Sequence, residues 1–173
     1  MNRVRILTSD QVARILDRMA FEVLERNRGG EGLVVLGILQ KGVAVAEALS
    51  ARLAQIEHRS FPVSALDVRP YRDDRSLEAA VADHSSLQVD TITDRPVLLV
   101  DDVLFTGRTV RAALDALLRW GRPRSVQLAV LIDRGHREFP IRADYVGRVV
   151  PTKYQERIVV VPDEGLAVYV EEV

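Results

Sequence analysis

Asp101 and Asp102 stand side by side directly after four apolar residues, Val97-Leu98-Leu99-Val100, and directly before Val103-Leu104-Phe105-Thr106-Gly107-Arg108-Thr109. The apolar run reads as a strand buried on both faces. Val110, Ala113, Leu114 and Leu117 then recur at helical spacing. A Thr-Gly-Arg-Thr turn between a strand and a helix can wrap a phosphate with main-chain N–H groups, two hydroxyls and the positive end of the helix dipole. Gly107 lets the backbone come close to such a ligand. The two carboxylates cannot bind the same anion, so they suit a neutral or cationic part of the ligand. Ribose hydroxyls, a bound Mg²⁺ or positive charge developing on a sugar ring all qualify.

Two other readings of the stretch explain less. A solvated acidic turn leaves the Thr-Gly-Arg-Thr that follows without a purpose. A response-regulator receiver domain also ends an apolar strand in paired aspartates, but it carries them near its N-terminus. Too little of the 173-residue chain follows Asp101 for that, and no lysine stands directly after the apolar run that ends at Ile132.

The elements that must position this stretch can be read in outline. Thr8-Ser9-Asp10-Gln11 resembles a capping box. Val12, Ile15, Leu16, Met19, Ala20, Val23 and Leu24 follow at helical spacing, and Gly29-Gly30 ends the helix. Leu33 to Leu36 is a second buried-strand run, ending in Gly37, and a helical pattern through Val45, Ala48, Leu49 and Leu53 comes after Gly42. Phe61 to Val68 and Val126 to Ile132 read as strands, while Ile158–Val161 and Leu166–Val170 read as a closing pair. Between them, residues 69–94 are polar and aperiodic, as expected of a functional flap or a disordered loop. Alternating strands and helices predict one α/β domain over 1–173 with a mainly parallel sheet. Ligands of such sheets sit beyond the carboxyl ends of the strands.

Composition excludes several classes. The sequence has no cysteine, so disulfide frameworks, thiolate metal sites and cysteine nucleophiles are absent. No apolar run is long enough to span a membrane, and Met1–Arg5 leads into an amphipathic pattern, so a soluble cytoplasmic protein is expected. A net charge of −1 rules out a strongly basic coat but leaves room for a local basic face. Lys41 and Lys153 are the only lysines among 24 basic residues. Arginine's planar fork suits phosphate and carboxylate, although a GC-rich genome would produce the same bias.

The stretch from Val97 to Thr109 resembles the phosphoribosyl pyrophosphate (PRPP) signature of type I phosphoribosyltransferases. With Tyr71-Arg72-Asp73-Asp74, Gly121-Arg122-Pro123, Asp133-Arg134-Gly135-His136-Arg137-Glu138 and Pro140-Ile141-Arg142-Ala143-Asp144, the sequence is similar to the PyrR family from about Asp10 to Glu171. The resemblance implies a type I fold: a mainly parallel sheet flanked by helices, a small hood and a flexible loop. It also implies two functions, UMP-dependent binding of pyr leader mRNA (attenuation) and the reaction uracil + PRPP ⇌ UMP + pyrophosphate. By resemblance Asp101 and Asp102 contact ribose, Thr106, Gly107, Arg108 and Thr109 cradle the 5′-phosphate, and Val103, Leu104 and Phe105 complete the PRPP-binding stretch. Gln40, Lys41 and Gly42 lie in the pyrophosphate loop, with Gln40-Lys41 replacing the family's Thr-Arg. Arg72 reaches pyrophosphate from the mobile loop, and Asp133 and Arg134 line the uracil or UMP end. His136 is open to two readings, a general base or a hydrogen-bonded structural histidine. Mg²⁺ comes carried on PRPP, with no dedicated cage. UMP or UTP, and a second copy in a homodimer or higher oligomer, are the further partners implied.

The RNA face of the family draws on the first helix and a C-terminal loop. There the family has Thr-Arg and His, and this sequence has Asp17-Arg18 and Phe21; Pro151-Thr152 is kept, with Lys153-Tyr154 after it. Arg14, Arg18, Arg26 and Arg28 supply positive charge, Asp17 opposes it, and Tyr154 could stack on a splayed base. A solvated charged helix face is the competing reading of the same arginines.

Overall fold

The computed structural model describes residues 2–74 and 81–173. In chain order the elements are β1 (Arg3–Leu7), α1 (Ser9–Arg26), β2 (Val34–Ile38), α2 (Lys41–Glu57), β3 (Val63–Leu66), β4 (Pro96–Leu104), α3 (Arg108–Leu117), β5 (Ser125–Asp133), β6 (Tyr145–Val149), β7 (Glu156–Val161) and β8 (Ala167–Glu172). Short 3₁₀ turns occupy Arg69–Tyr71, Leu118–Trp120 and Pro162–Glu164.

Strands β2 to β6 form one parallel sheet in the order β3-β2-β4-β5-β6. Its two faces bury different halves of each strand. Val35, Leu98 and Val100 pack with α1 and α2, whereas Val34, Leu36, Val97 and Leu99 pack with Val110, Ala113 and Leu117 of α3. Strands β1, β8 and β7 form a second, antiparallel sheet in that order. Its Leu7, Ile158, Val160 and Val168 join the same core as α1, so the hood is packed into the domain.

The helix start at Thr8 is a capping box: Gln11 N donates to Thr8 Oγ1 (3.2 Å), and Thr8 N donates to Gln11 Oε1 (2.9 Å). Two strands escape the sequence patterns. β1 alternates arginine with apolar residues and pairs with β8 at the far end of the chain. β6 is short and contains Gly147, where a Cβ would lie 2.8 Å from Ile15 Cγ2, so α1 crosses it closely.

Of the segment 69–94 expected to be a flap or a disordered loop, residues 81–94 are tied to the domain. Residues 75–80 lie outside the described residues. Beyond them Ser86 bridges Ala65 of β3 in both directions, with N–O distances of 2.8 and 2.9 Å, and Ile92 is fully buried. Among the described residues no helix is long and apolar enough to cross a membrane.

Strand order reverses at β2 and β4, since β3 lies on one side of β2 and β4 to β6 lie on the other. The crevice beyond the carboxyl ends of β2 and β4 is where such a sheet holds its ligand. Lys41 opens α2 there, and Asp101 and Asp102 lie near the end of β4.

Candidate active site

Three cavities run along the carboxyl edge of the sheet. The first, about 380 Å³, is lined by Gln40, Lys41, Arg69, Arg72, Asp101 and Asp102, among others. A second, about 100 Å³, shares Arg72, Asp101, Val103 and Thr109 with it and adds Leu104, Phe105, Thr106 and Gly107. A third, about 400 Å³, is lined by Asp133, Arg134, His136, Arg137 and Thr152.

Asp101 is buried and Asp102 half-buried. Asp102 N donates to Asp101 Oδ1 at 2.9 Å. Burial, followed by the neighbouring charge of Asp102, pushes the Asp101 carboxyl well above the usual carboxylate range, while Arg72 pulls it the other way. Gly42 makes this arrangement possible. A Cβ there would stand 2.8 Å from Val100 O and 3.0 Å from Asp101 Oδ1, so only glycine lets the first turn of α2 abut β4.

The phosphate loop is shaped from both sides. Gly107 has φ +91°, a left-handed conformation that glycine adopts without strain. Arg108 N donates to Thr106 Oγ1 (3.2 Å), and Glu138 N and Phe139 N both donate to Thr106 O (2.9 and 3.0 Å). Residues 72–74 pack against this loop. Arg72 grips Asp74 with two hydrogen bonds (2.8 and 2.7 Å) and donates to Thr109 Oγ1 (2.9 Å). Arg108 bridges Asp73 (2.7 Å) and Glu138 (2.8 Å). The structure therefore brings Arg72, Asp101, Asp102, Lys41, Gln40 and residues 103–109 together.

At the third cavity the predicted base contacts are already engaged with the protein. Asp133 accepts from Gly135 N (3.0 Å) and Arg137 (2.6 Å). Arg134 is buried, and its guanidinium donates to Thr152 Oγ1 (3.0 Å), Lys153 O (3.0 Å) and Tyr154 O (3.3 Å). His136 Nε2 sits 2.6 Å from Thr152 O, and a carbonyl only accepts, so Nε2 carries the proton. This geometry is that of a hydrogen-bonded structural histidine. Arg137, not singled out in the sequence, donates to Phe105 O (2.8 Å) and Ile141 O (2.9 Å), tying the phosphate loop to the base end.

The candidate RNA residues do not form one free patch. Arg18 donates to Val146 O (3.2 Å), Gly147 O (2.6 Å) and Glu22 (2.6 Å), covering carbonyls of the edge strand β6. Arg26 pairs with Asp144 (2.8 Å), and Asp17 pairs with Arg52 (2.8 Å). Arg14, Phe21 and Arg28 are exposed. Tyr154 packs its ring against Phe105 and His136, with centroids 5.6 and 5.7 Å away, and so stands at the base end of the site. Sequence reasoning missed Asp67 and Arg69, which lie outside the motif cores and carry no local pattern, and it gave no role to Arg137 although that residue lies within the Asp133–Glu138 motif.

Comparison with known proteins gives this geometry a family. The phosphoribosyl transferase domain matches residues 3–164. The chain is 47% identical to "Bifunctional protein PyrR 2" of Lactiplantibacillus plantarum, covering 92% of this chain and 91% of that protein. It is 51% identical to "Bifunctional protein PyrR" of Deinococcus radiodurans, covering 89% and 85%. Among solved structures, a hypoxanthine phosphoribosyltransferase from Staphylococcus aureus superposes with a TM-score of 0.71 at 23% identity, covering 94% of this chain and 82% of that one. That likeness concerns the fold, which is the type I phosphoribosyltransferase fold. On its domain match and its identity to these relatives over nearly their whole length, the chain belongs to the PyrR family.

Proposed function

We propose that this protein transfers the phosphoribosyl group of PRPP to uracil, releasing pyrophosphate, and that it regulates the pyr operon by UMP-dependent binding of leader mRNA. The observation that carries the enzyme reading is the acidic pair of β4 running directly into a phosphate loop that opens α3, with cavities on both sides. The 5′-phosphate belongs in the Thr106–Thr109 loop, ribose against Asp101 and Asp102, and pyrophosphate by Lys41 and Arg72. The base enters the cavity beside Asp133 to Arg137.

Breaking the C1–O bond leaves an oxocarbenium-like ribose and an anionic leaving group. The protein's part is positioning and charge stabilisation. Uracil N1 attacks C1 as the bond to pyrophosphate breaks, the pyrophosphate taking the bonding electron pair and the N1 proton passing to solvent. Phe105 stands where purine enzymes of the superfamily often carry an aspartate, so no carboxylate at that position receives the proton. Mg²⁺ carried on PRPP would supply charge neutralisation at the pyrophosphate. Among the described residues no group of three or more His, Asp or Glu side chains could cage the ion, and the Asp101-Asp102 pair suits a hydrated one. UMP and UTP are the expected effectors, the cytoplasm the expected location and a homodimer or larger oligomer the expected assembly.

One observation favours a second reading, a uracil phosphoribosyltransferase or nucleotide sensor without RNA binding. Arg18 and Arg26 are already spent on β6 carbonyls and Asp144.

Two assays decide between them. UMP formation from uracil and PRPP, repeated with hypoxanthine and orotate, tests the enzyme; activity with hypoxanthine alone refutes the pyrimidine assignment. A gel shift on pyr leader RNA across a salt series, with and without UMP, tests the regulator. No shift at low salt with UMP present leaves the second reading.

A further inference from the structure

Among the described residues three cations line the 380 Å³ cavity: Lys41, Arg69 and Arg72. Arg72 is committed to Asp74 and Thr109. Arg69 is held differently, by a carboxylate at the end of β3. Asp67 is 1% exposed. Its Oδ1 accepts from Arg69 N (3.1 Å) and Arg69 Nε (3.0 Å), and its Oδ2 accepts from Arg69 Nη2 (2.7 Å) and His84 N (3.0 Å). Its own N–H donates to Ser85 Oγ (2.8 Å). One buried carboxylate thus clasps both Arg69 and the His84-Ser85 segment.

The grip on the guanidinium is edge-on, through Nε and one terminal nitrogen. Among the described residues the other terminal nitrogen makes no hydrogen bond, and the side chain stays 57% exposed on the cavity wall. An arginine that served only to neutralise Asp67 would have no need to stay exposed there. The cavity also has a shortage to meet. Asp101 and Asp102 put negative charge beside a highly anionic leaving group, and Lys41 offers a single point charge without a planar fork. A guanidinium whose aim is set by a buried carboxylate offers directed N–H groups to phosphoryl oxygens at low entropic cost.

We propose that Arg69 binds the diphosphate group of the substrate, with Asp67 as the positioning residue that aims it. This rests on the PRPP reading of the site, and it adds a pyrophosphate contact outside the loop at Gln40–Gly42.

The test combines steady-state kinetics of the full-length protein with calorimetric binding of magnesium pyrophosphate and, separately, of UMP. Arg69→Ala raises KM for PRPP and Kd for magnesium pyrophosphate about tenfold, the loss of one charge-assisted contact, with kcat within about twofold, the pattern of lost uniform binding. Its Kd for UMP stays at the wild-type value. Arg69→Lys falls between the two, and Asp67→Asn shifts both constants in the same direction as Arg69→Ala. Arg69 is exposed, so its variants keep the test open should Asp67→Asn fold poorly. An Arg69→Ala protein with wild-type pyrophosphate affinity and PRPP KM overturns the proposal. A wild type that binds pyrophosphate yet forms no UMP overturns the enzyme reading instead, while the variants' pyrophosphate affinity still decides the role of Arg69.

Discussion

The guanidinium carbon of Arg134 lies 3.9 Å from the centroid of the Phe105 ring, and the same guanidinium donates to residues 152, 153 and 154. One buried arginine therefore joins the phosphate loop to the segment that closes the base end. Burial lowers its pKa from the ordinary arginine value, yet an arginine stays charged throughout the physiological range, so the contact is a desolvated cation on an aromatic face. Arg134→Lys keeps the charge but loses the planar stack and the three-way fork. The expected outcome in steady-state kinetics is a rise of about tenfold in KM for uracil, the effect of one misplaced supporting contact, with KM for PRPP little changed.

Asp101 sets stability against function. Its carboxyl is raised, chiefly by burial and next by Asp102. A raised carboxyl makes the folded state hold a proton that the unfolded chain has released. Its stabilising effect is present below the unfolded pKa and is lost as pH rises through the raised value, so at neutral pH the charge works against folding. Asp101→Asn keeps the oxygen that accepts from Asp102 N and removes the charge. Thermal melts at neutral pH are expected to rise by about 2–4 °C, as for a gain near 1 kcal/mol in a chain of this size. UMP formation is expected to drop by about 100-fold, the usual loss of one preorganised electrostatic group.

Asp67 behaves in the opposite sense. Hydrogen bonds from Arg69, then from the backbone of His84 and Arg69, draw its carboxyl down to about 2, against the penalty of burial. Its stabilisation is present above the unfolded value of 3.8 and is lost as pH falls towards 2. Urea unfolding at pH 7 is expected to show Asp67→Asn less stable by about 1–2 kcal/mol, a value reduced because the Arg69 partner faces solvent. The difference between the two proteins should shrink steadily below pH 4.

The two arginines of α1 separate by experiment. Arg18 covers the carbonyls of Val146 and Gly147, so Arg18→Ala is expected to lower stability by about 1 kcal/mol in urea. Arg14 is exposed and, among the described residues, has no such partner. Arg14→Ala should leave the unfolding midpoint unchanged and reduce the slope of log affinity for leader RNA against log salt by about one. An unaltered salt slope would remove Arg14 from the RNA face.

The amino-acid sequence by itself determined whatever is contiguous and local. Val97 to Thr109 reads as strand, acidic pair, phosphate loop and helix because each part is recognised by its neighbours: burial by an unbroken apolar run, the loop by Thr-Gly-Arg-Thr. Helix α1 is legible for the same reason, since its cap residues Thr8 and Gln11 lie three apart. Tertiary structure decided what long side chains do. Arg18, Arg69 and Arg134 look alike along the chain, but one covers an edge strand, one is clasped at a cavity and one stacks on Phe105. Strands β1 and β6 also depended on it, because β1 exists only through its pairing with β8, and β6 through its pairing with β5 beneath α1. The physical reason is reach. A guanidinium extends far enough from its backbone that its partner is set by whichever segment folds beside it, and an edge strand takes its hydrogen bonds from residues distant in sequence.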